Sequence, residues 1–194
     1  MDLFTIVTAR ADYELGALVI IDQTQLPERE VYLALKTPEE IWEAIYLLKV
    51  RGAPAIGVAA AYGISVCMQK VDEVDDFYRE FARLKNYLAS SRPTAVNLFT
   101  ALERMEVALL KCQGAGVEVL KRVLREEAEA IRKEDAAACR KIGEYGLSLL
   151  KPGMGFWRFR STVRLWLRFI WDRNKDSVFR FLPMKPARYC KERG

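Results

Sequence analysis

Residues Val50–Gly63 read V-R-G-A-P-A-I-G-V-A-A-A-Y-G. A cation, two residues too small to obstruct a ligand, a proline and an almost all-small apolar run follow one another there. Proline has no N–H to lose and its fixed φ suits the first helical position. The stretch therefore predicts a helix that begins at Pro54 and runs to about Lys70. The free N–H groups of that first turn, with the helix dipole behind them, favour a phosphate or carboxylate. Gly52 and Ala53 let such a ligand approach the backbone, and Arg51 adds a bidentate charge-assisted contact. A plainer reading stands beside this one: Gly57, Ala59, Ala60, Ala61 and Gly63 serve only close helix packing, and Arg51 is a solvated charge.

On the N-terminal side, Thr37-Pro38-Glu39-Glu40 is a helix start with Thr37 as N-cap, Pro38 at N1 and Glu40 closing a capping box. Ile41, Ala44, Ile45 and Leu48 then share one face, and this helix is expected to end near Lys49. Ala17–Asp22 and Glu30–Ala34 are apolar, β-branched runs around a polar turn with Pro27, which predicts an antiparallel hairpin with a long loop over about 17–35. Phe4–Thr8 is a further short-strand candidate.

On the C-terminal side, the acidic run Asp72–Asp76 opens a helix with Phe77, Phe81, Leu84 and Leu88 as its buried stripe. Ser90-Ser91-Arg92-Pro93-Thr94 repeats the cation–proline–hydroxyl device before a helix carrying Val96, Leu98, Phe99, Leu102 and Met105. Arg92 at that helix start either meets the anion held near Arg51 or ties its loop to a neighbouring carboxylate. After a turn at Gly114 and Gly116, residues 117–150 read as one long helix or two with a bend, closed by Lys151-Pro152-Gly153. Its Glu126, Glu127, Glu129, Arg132, Lys133, Glu134 and Asp135 read as a solvated mixed-charge face.

Three of these segments together resemble the methylthioribose-1-phosphate isomerase family, whose relatives include regulatory subunits of a translation initiation exchange factor. They are R-G-A-P-A-I-G within Val50–Gly63; D-Q-T-Q-L-P at Asp22–Pro27 with V-Y-L at Val31–Leu33; and S-R-P-T-A-V-N-L-F-T-A-L-E-R-M at Ser91–Met105. The resemblance covers roughly residues 17–155 and implies a mainly α N-terminal domain, residues 1–155, with a small antiparallel sheet. It also implies that Arg51, Gly52, Ala53 and Arg92 contact a phosphorylated sugar. The implied reaction is aldose–ketose isomerisation of S-methyl-5-thioribose 1-phosphate in methionine salvage, with no metal or organic cofactor, by a cytoplasmic homodimer. A related pentose phosphate such as 5-deoxyribose 1-phosphate, or a noncatalytic regulatory-subunit role, are the alternatives.

Composition narrows the chemistry further. No histidine occurs in the 194 residues, which removes Ser-His and Cys-His pairs and ordinary zinc sites. Cys67, Cys112, Cys139 and Cys190 lack C-x-x-C spacing and read as reduced thiols. No signal peptide or membrane-spanning run is expected. The net charge of +5 is uneven: residues 156–194 carry +8 and the rest −3, so the basicity belongs to the tail.

That tail departs from the resemblance. Where the family enters a Rossmann-like domain through T-H-C-N-A-G, with a catalytic Cys there and a catalytic Asp further on, this chain reads F-W-R-F-R-S-T-V-R-L-W-L-R-F-I-W. Codons compatible with Pro183–Gly194, read one base early, permit A-D-E-T-R-P-V-L-Q-G-A-R, which is similar to a segment of the family's second domain. The same shift over Phe159–Asp176 permits S-K-Y-G-T-A-L-A-P-I-Y-L-G-Q-E-Q-G. The expectation is a deletion and frameshift near Gly155. Residues 156–194 would then be an out-of-frame basic, aromatic tail without specific nucleic-acid or membrane partners, and the chain would lack its catalytic residues.

Overall fold

The computed structural model describes residues 8–149. The expected strand at Phe4–Thr8 falls almost wholly outside them, as do the stop at Lys151-Pro152-Gly153 and the tail from residue 156.

The architecture is mainly α with a three-stranded antiparallel sheet at its N-terminal end. Strand β2 (Ala17–Ile21) is central, between β1 (Ala9–Asp12) and β3 (Tyr32–Leu35). Ala9 pairs with Ile20 on one side, and Leu18 with Leu35 on the other. All five β2 residues are buried, and alternation along the strand turns Leu18 and Ile20 into the helical core. The hairpin of β2 and β3 is the expected one. Strand β1 was not legible, because A-R-A-D has no β-branched residue and pairs as a short edge.

Five helices follow: α1 (Pro38–Tyr46), α2 (Ala53–Met68), α3 (Val74–Ser90), α4 (Val96–Leu110) and α5 (Val117–Ser148). The capping box of α1 forms as expected, the Glu40 N–H donating to Thr37 Oγ1 at 3.2 Å and the Thr37 N–H to Glu40 Oε2 at 3.2 Å. The end of α1 differs from expectation. It stops at Tyr46, and Leu48 takes φ +58°. The N–H groups of Leu48 and Lys49 bond back to the carbonyls of Ile45 and Ala44, closing a Schellman motif with leucine where glycine is usual.

Helix α2 is the axis of the core. Every residue from Ala55 to Met68 is buried, whereas Arg51, Gly52 and Ala53 are exposed. Its small residues allow the close approach of neighbours. A Cβ on Gly57 would lie 2.7 Å from the Asn97 carbonyl oxygen of α4, and one on Gly63 would lie 2.9 Å from Ile41 Cγ2 of α1. The packing role read for these glycines is therefore real. It coexists with an open helix start.

The stripe Phe77, Phe81, Leu84, Leu88 of α3 is buried as expected. On α4 the stripe is Leu98, Ala101, Leu102, Met105 and Leu109, while Val96 is exposed and Phe99 half-buried, both lying off that stripe. Helix α5 is one helix of 32 residues. The chain divides at Ala136 into two compact units, so α5 contributes its first part to one and its last to the other. Two of the charged stretches also make contacts between elements. Arg104 of α4 binds both Glu127 and Glu134 of α5, and Asp72 pairs at 2.8 Å with Lys121, itself 6% exposed. Those charges join elements as well as facing water.

Candidate functional site

The loop between α1 and α2 is fixed from three sides. The Schellman motif anchors its start, and buried Val50 anchors its middle. The polar turn of the hairpin braces it from outside. Asp22 Oδ1 accepts from the Thr24 N–H at 2.9 Å and the Thr24 hydroxyl at 2.6 Å, shaping that turn. The Gln23 N–H then donates to the Lys49 carbonyl at 2.9 Å, and Gln23 Nε2 to the Arg51 carbonyl at 3.4 Å.

Gly52 follows with φ +103°, ψ 129°, a conformation that a side chain resists. This is a second reason for glycine besides ligand approach. The chain turns there directly into α2, so the helix begins at Ala53 and Pro54 is its second residue rather than its first. Gly52 supplies no side-chain cap, which leaves the exposed N–H groups of this turn without a protein acceptor from that position.

Helix α4 starts in the same manner. Its N-cap is Ala95, again without a side-chain cap, and the Ala95 N–H donates to the Arg92 carbonyl at 3.0 Å. The carbonyl of Asn97, in its first turn, lies against Gly57. That close crossing brings the half-buried Arg92 loop to the same end of the core as the α2 start.

Neither arginine is neutralised. Among the described residues the Arg92 side chain makes no hydrogen bond or ion pair, and Arg51 Nε donates to the Leu48 carbonyl at 3.2 Å, with no carboxylate beside it. By contrast, Arg79, Arg83, Arg104 and Arg132 all hold carboxylates. Among the described residues no carboxylate makes the tie offered as the alternative role of Arg92. The Arg51 and Arg92 guanidiniums thus each stand within three residues of an uncapped helix start, a combination suited to an anion.

Cys67 lies near the far end of α2, 8% exposed, and burial pushes its thiol up to about 11. Among the described residues no group of three His, Cys, Asp or Glu is placed to hold a metal ion, and no helix is long and apolar enough to cross a membrane.

A family model described as the initiation factor 2 subunit family matches residues 49–155, more than half of the chain. The chain belongs to the initiation factor 2 subunit family. Within that family it is 57% identical over 148 residues to methylthioribose-1-phosphate isomerase of Parabacteroides distasonis, covering 75% of this chain and 44% of that protein. It is 50% identical over 153 residues to 5-deoxyribose 1-phosphate isomerase of Petrotoga mobilis, covering 78% and 44%. Among solved structures it is similar to the translation initiation factor eIF-2B, subunit delta, from A. fulgidus, with a TM-score of 0.69, 40% identity and coverage of 77% and 43%. The chain thus spans less than half the length of the curated relatives it matches.

Sequence reasoning singled out Arg51, Gly52, Ala53 and Arg92 as candidates, but not the Gln23 side chain that bonds the Arg51 carbonyl. Gln23 lay in a quoted motif without an assigned role. Trp42 and Ser90, whose side chains bond each other at 2.9 Å, are 48 positions apart and gave no local signal.

Proposed function

We propose that this chain is the anion- and sugar-recognising half of an aldose–ketose isomerase. Its substrate would be S-methyl-5-thioribose 1-phosphate, converted to S-methyl-5-thioribulose 1-phosphate in methionine salvage. The observation that carries this reading is the pair of carboxylate-free arginines, Arg51 and Arg92, beside two uncapped helix starts. Arg51 and Arg92 hold the phosphate, and the Gly52–Ala53 backbone lets it approach. The relatives named as isomerases of 1-phosphorylated pentoses support the substrate class.

The phosphate on C1 blocks simple ring opening, so the reaction needs an acid and a base in a water-poor pocket. The resemblance assigns those roles to a Cys and an Asp in a segment that residues 156–194 do not reproduce. We therefore propose that this chain binds its sugar phosphate without turning it over, and that its last 39 residues are read out of frame. The intact parent is proposed to be a cytoplasmic homodimer, on the resemblance alone.

Calorimetric titration with S-methyl-5-thioribose 1-phosphate tests the reading. A charge-assisted hydrogen bond is worth about 1.5–3 kcal/mol, so Arg51→Ala and Arg92→Ala should each weaken binding about 10- to 100-fold. Binding indifferent to both substitutions would refute the site, and turnover by the purified chain would refute the noncatalytic assignment. Sequencing the coding DNA from the Gly153 codon onward tests the frameshift. The Petrotoga relative favours 5-deoxyribose 1-phosphate as a second substrate, distinguished by the same titration. The likeness to the initiation-factor subunit supports a noncatalytic role, which a repaired full-length protein would reveal by binding without turnover.

A further inference from the structure

Arg51 and Arg92 belong to loops that begin at the ends of different helices, α1 and α3. Their spacing depends on how those two ends are joined. On α1, one turn before its end, Trp42 is half-buried and stacks on Tyr46 with ring centroids 4.8 Å apart, and on Tyr87 of α3 at 6.1 Å. Its indole Nε1 donates to Ser90 Oγ at 2.9 Å, and the Ser90 hydroxyl donates in turn to the Tyr87 carbonyl at 2.6 Å. Ser90 is the last residue of α3 and stands two positions before Arg92. Trp42 stands nine positions before Arg51, across a turn made rigid by the Schellman bonds.

We propose that the Trp42–Ser90 hydrogen bond is a latch that positions the Arg92 loop against the Arg51 loop, and that Trp42 and Ser90 are positioning residues for anion binding. The proposal rests on the phosphate-binding reading above. The rings supply a firm contact between α1 and α3, but a stack tolerates sliding and rotation. The N–H to Oγ bond does not, because a hydrogen bond weakens steeply with misalignment. Ser90 ends α3 and its hydroxyl already holds the last turn, so fixing its oxygen fixes the direction in which the chain leaves toward Arg92. When the latch opens, the two guanidiniums no longer share one arrangement. Apparent affinity then falls by the fraction of molecules that keep it.

Trp42→Phe keeps a stacking ring and removes the donor; Ser90→Ala removes the acceptor. A hydrogen bond of this kind shifts an equilibrium about three- to tenfold. Each variant of the full chain should therefore lose about three- to tenfold of its affinity for S-methyl-5-thioribose 1-phosphate. The double variant should lose no more than either one, because both break the same bond. Ser90→Thr, which keeps the hydroxyl, should restore most of the affinity. The loss should also shrink in an Arg92→Ala background, where nothing remains to be positioned.

A purely structural Trp42 would lower the melting temperature in Trp42→Phe while leaving the affinity of the folded protein unchanged, and that result overturns the latch. Wild-type affinity in both Trp42→Phe and Ser90→Ala, with Arg51→Ala and Arg92→Ala still weak, overturns the latch and leaves the anion site standing. Wild-type chain that does not bind the sugar phosphate overturns both.

Discussion

The crossing of α2 and α4 offers a sharp test, because one added methyl group there meets backbone. In Gly57→Ala the new Cβ would sit 2.7 Å from the Asn97 carbonyl oxygen and 3.3 Å from Ala101 Cβ. The carbonyl belongs to the first turn of α4 and cannot rotate away, so the helices must separate. Overpacking of this kind costs about 1–3 kcal/mol, and replacing a helical glycine by alanine returns about 0.5–1 kcal/mol of propensity. The net expectation is a loss of about 1–2 kcal/mol, or a fall of about 2–8 °C in melting temperature for a chain of this size. Gly63→Ala is the internal control. Its Cβ would lie 2.9 Å from Ile41 Cγ2, a buried side-chain methyl rather than a backbone carbonyl, so the strain falls on one residue and not on a whole helix, and the propensity gain is the same. Gly57→Ala should therefore be the less stable of the two by about 1 kcal/mol. Urea and thermal unfolding of both purified variants measure this directly. Separation at Asn97 also moves the start of α4, so Gly57→Ala should weaken sugar-phosphate binding more than Gly63→Ala does. A Gly57→Ala protein as stable as the parent, or more stable than Gly63→Ala, would refute the close-packing argument.

Two further outcomes follow from the geometry. Arg132, in bidentate contact with Glu129 at 3.1 and 2.6 Å, and then the Tyr62 hydroxyl, hold the Glu129 carboxyl down to about 2. A carboxylate depressed in the folded state stabilises above its unfolded pKa, and that contribution disappears as pH falls from the ordinary glutamate range toward 2. Glu129→Gln should flatten the stability profile across that acid window and lower stability at pH 7, as read from urea midpoints at stepped pH. At Leu48, φ +58° costs a side chain about 1–2 kcal/mol and a β-branched one more. Leu48→Gly should thus keep or raise the melting temperature despite its lost side chain, whereas Leu48→Val should lower it.

The parts of this fold that were legible are those whose signals are local. Thr37 and Glu40 are three residues apart and satisfy each other's backbone, so a capping box can be read without tertiary knowledge. The stripe of Phe77, Phe81, Leu84 and Leu88 repeats at the helical period for the same reason. The start of α2 was placed within one residue, because proline restricts so few positions. Strand β1 was missed because its stability comes from pairing with β2, which nothing in A-R-A-D announces. The end of α1 was misread because the residue in the left-handed position is leucine, and no glycine marks the stop. Arg51 and Arg92 stood out beside their prolines. That they lack carboxylate partners, while Arg104 takes two, depends on which helices cross and is invisible along the chain.

Helix α2 is covered along its length from Ala55 to Met68 and open only at its first turn. Its composition has no polar side to turn toward water, so it gains nothing from forming before its neighbours close around it. Its interior amides should then exchange with solvent only when the first unit opens as a whole, while those of Gly52 and Ala53 exchange from the native state. A ligand bound at that turn grips the end of a rod that the rest of the unit must unfold to release. Occupancy of the proposed phosphate site should therefore be felt as slowed exchange far down the helix, in residues the ligand never touches.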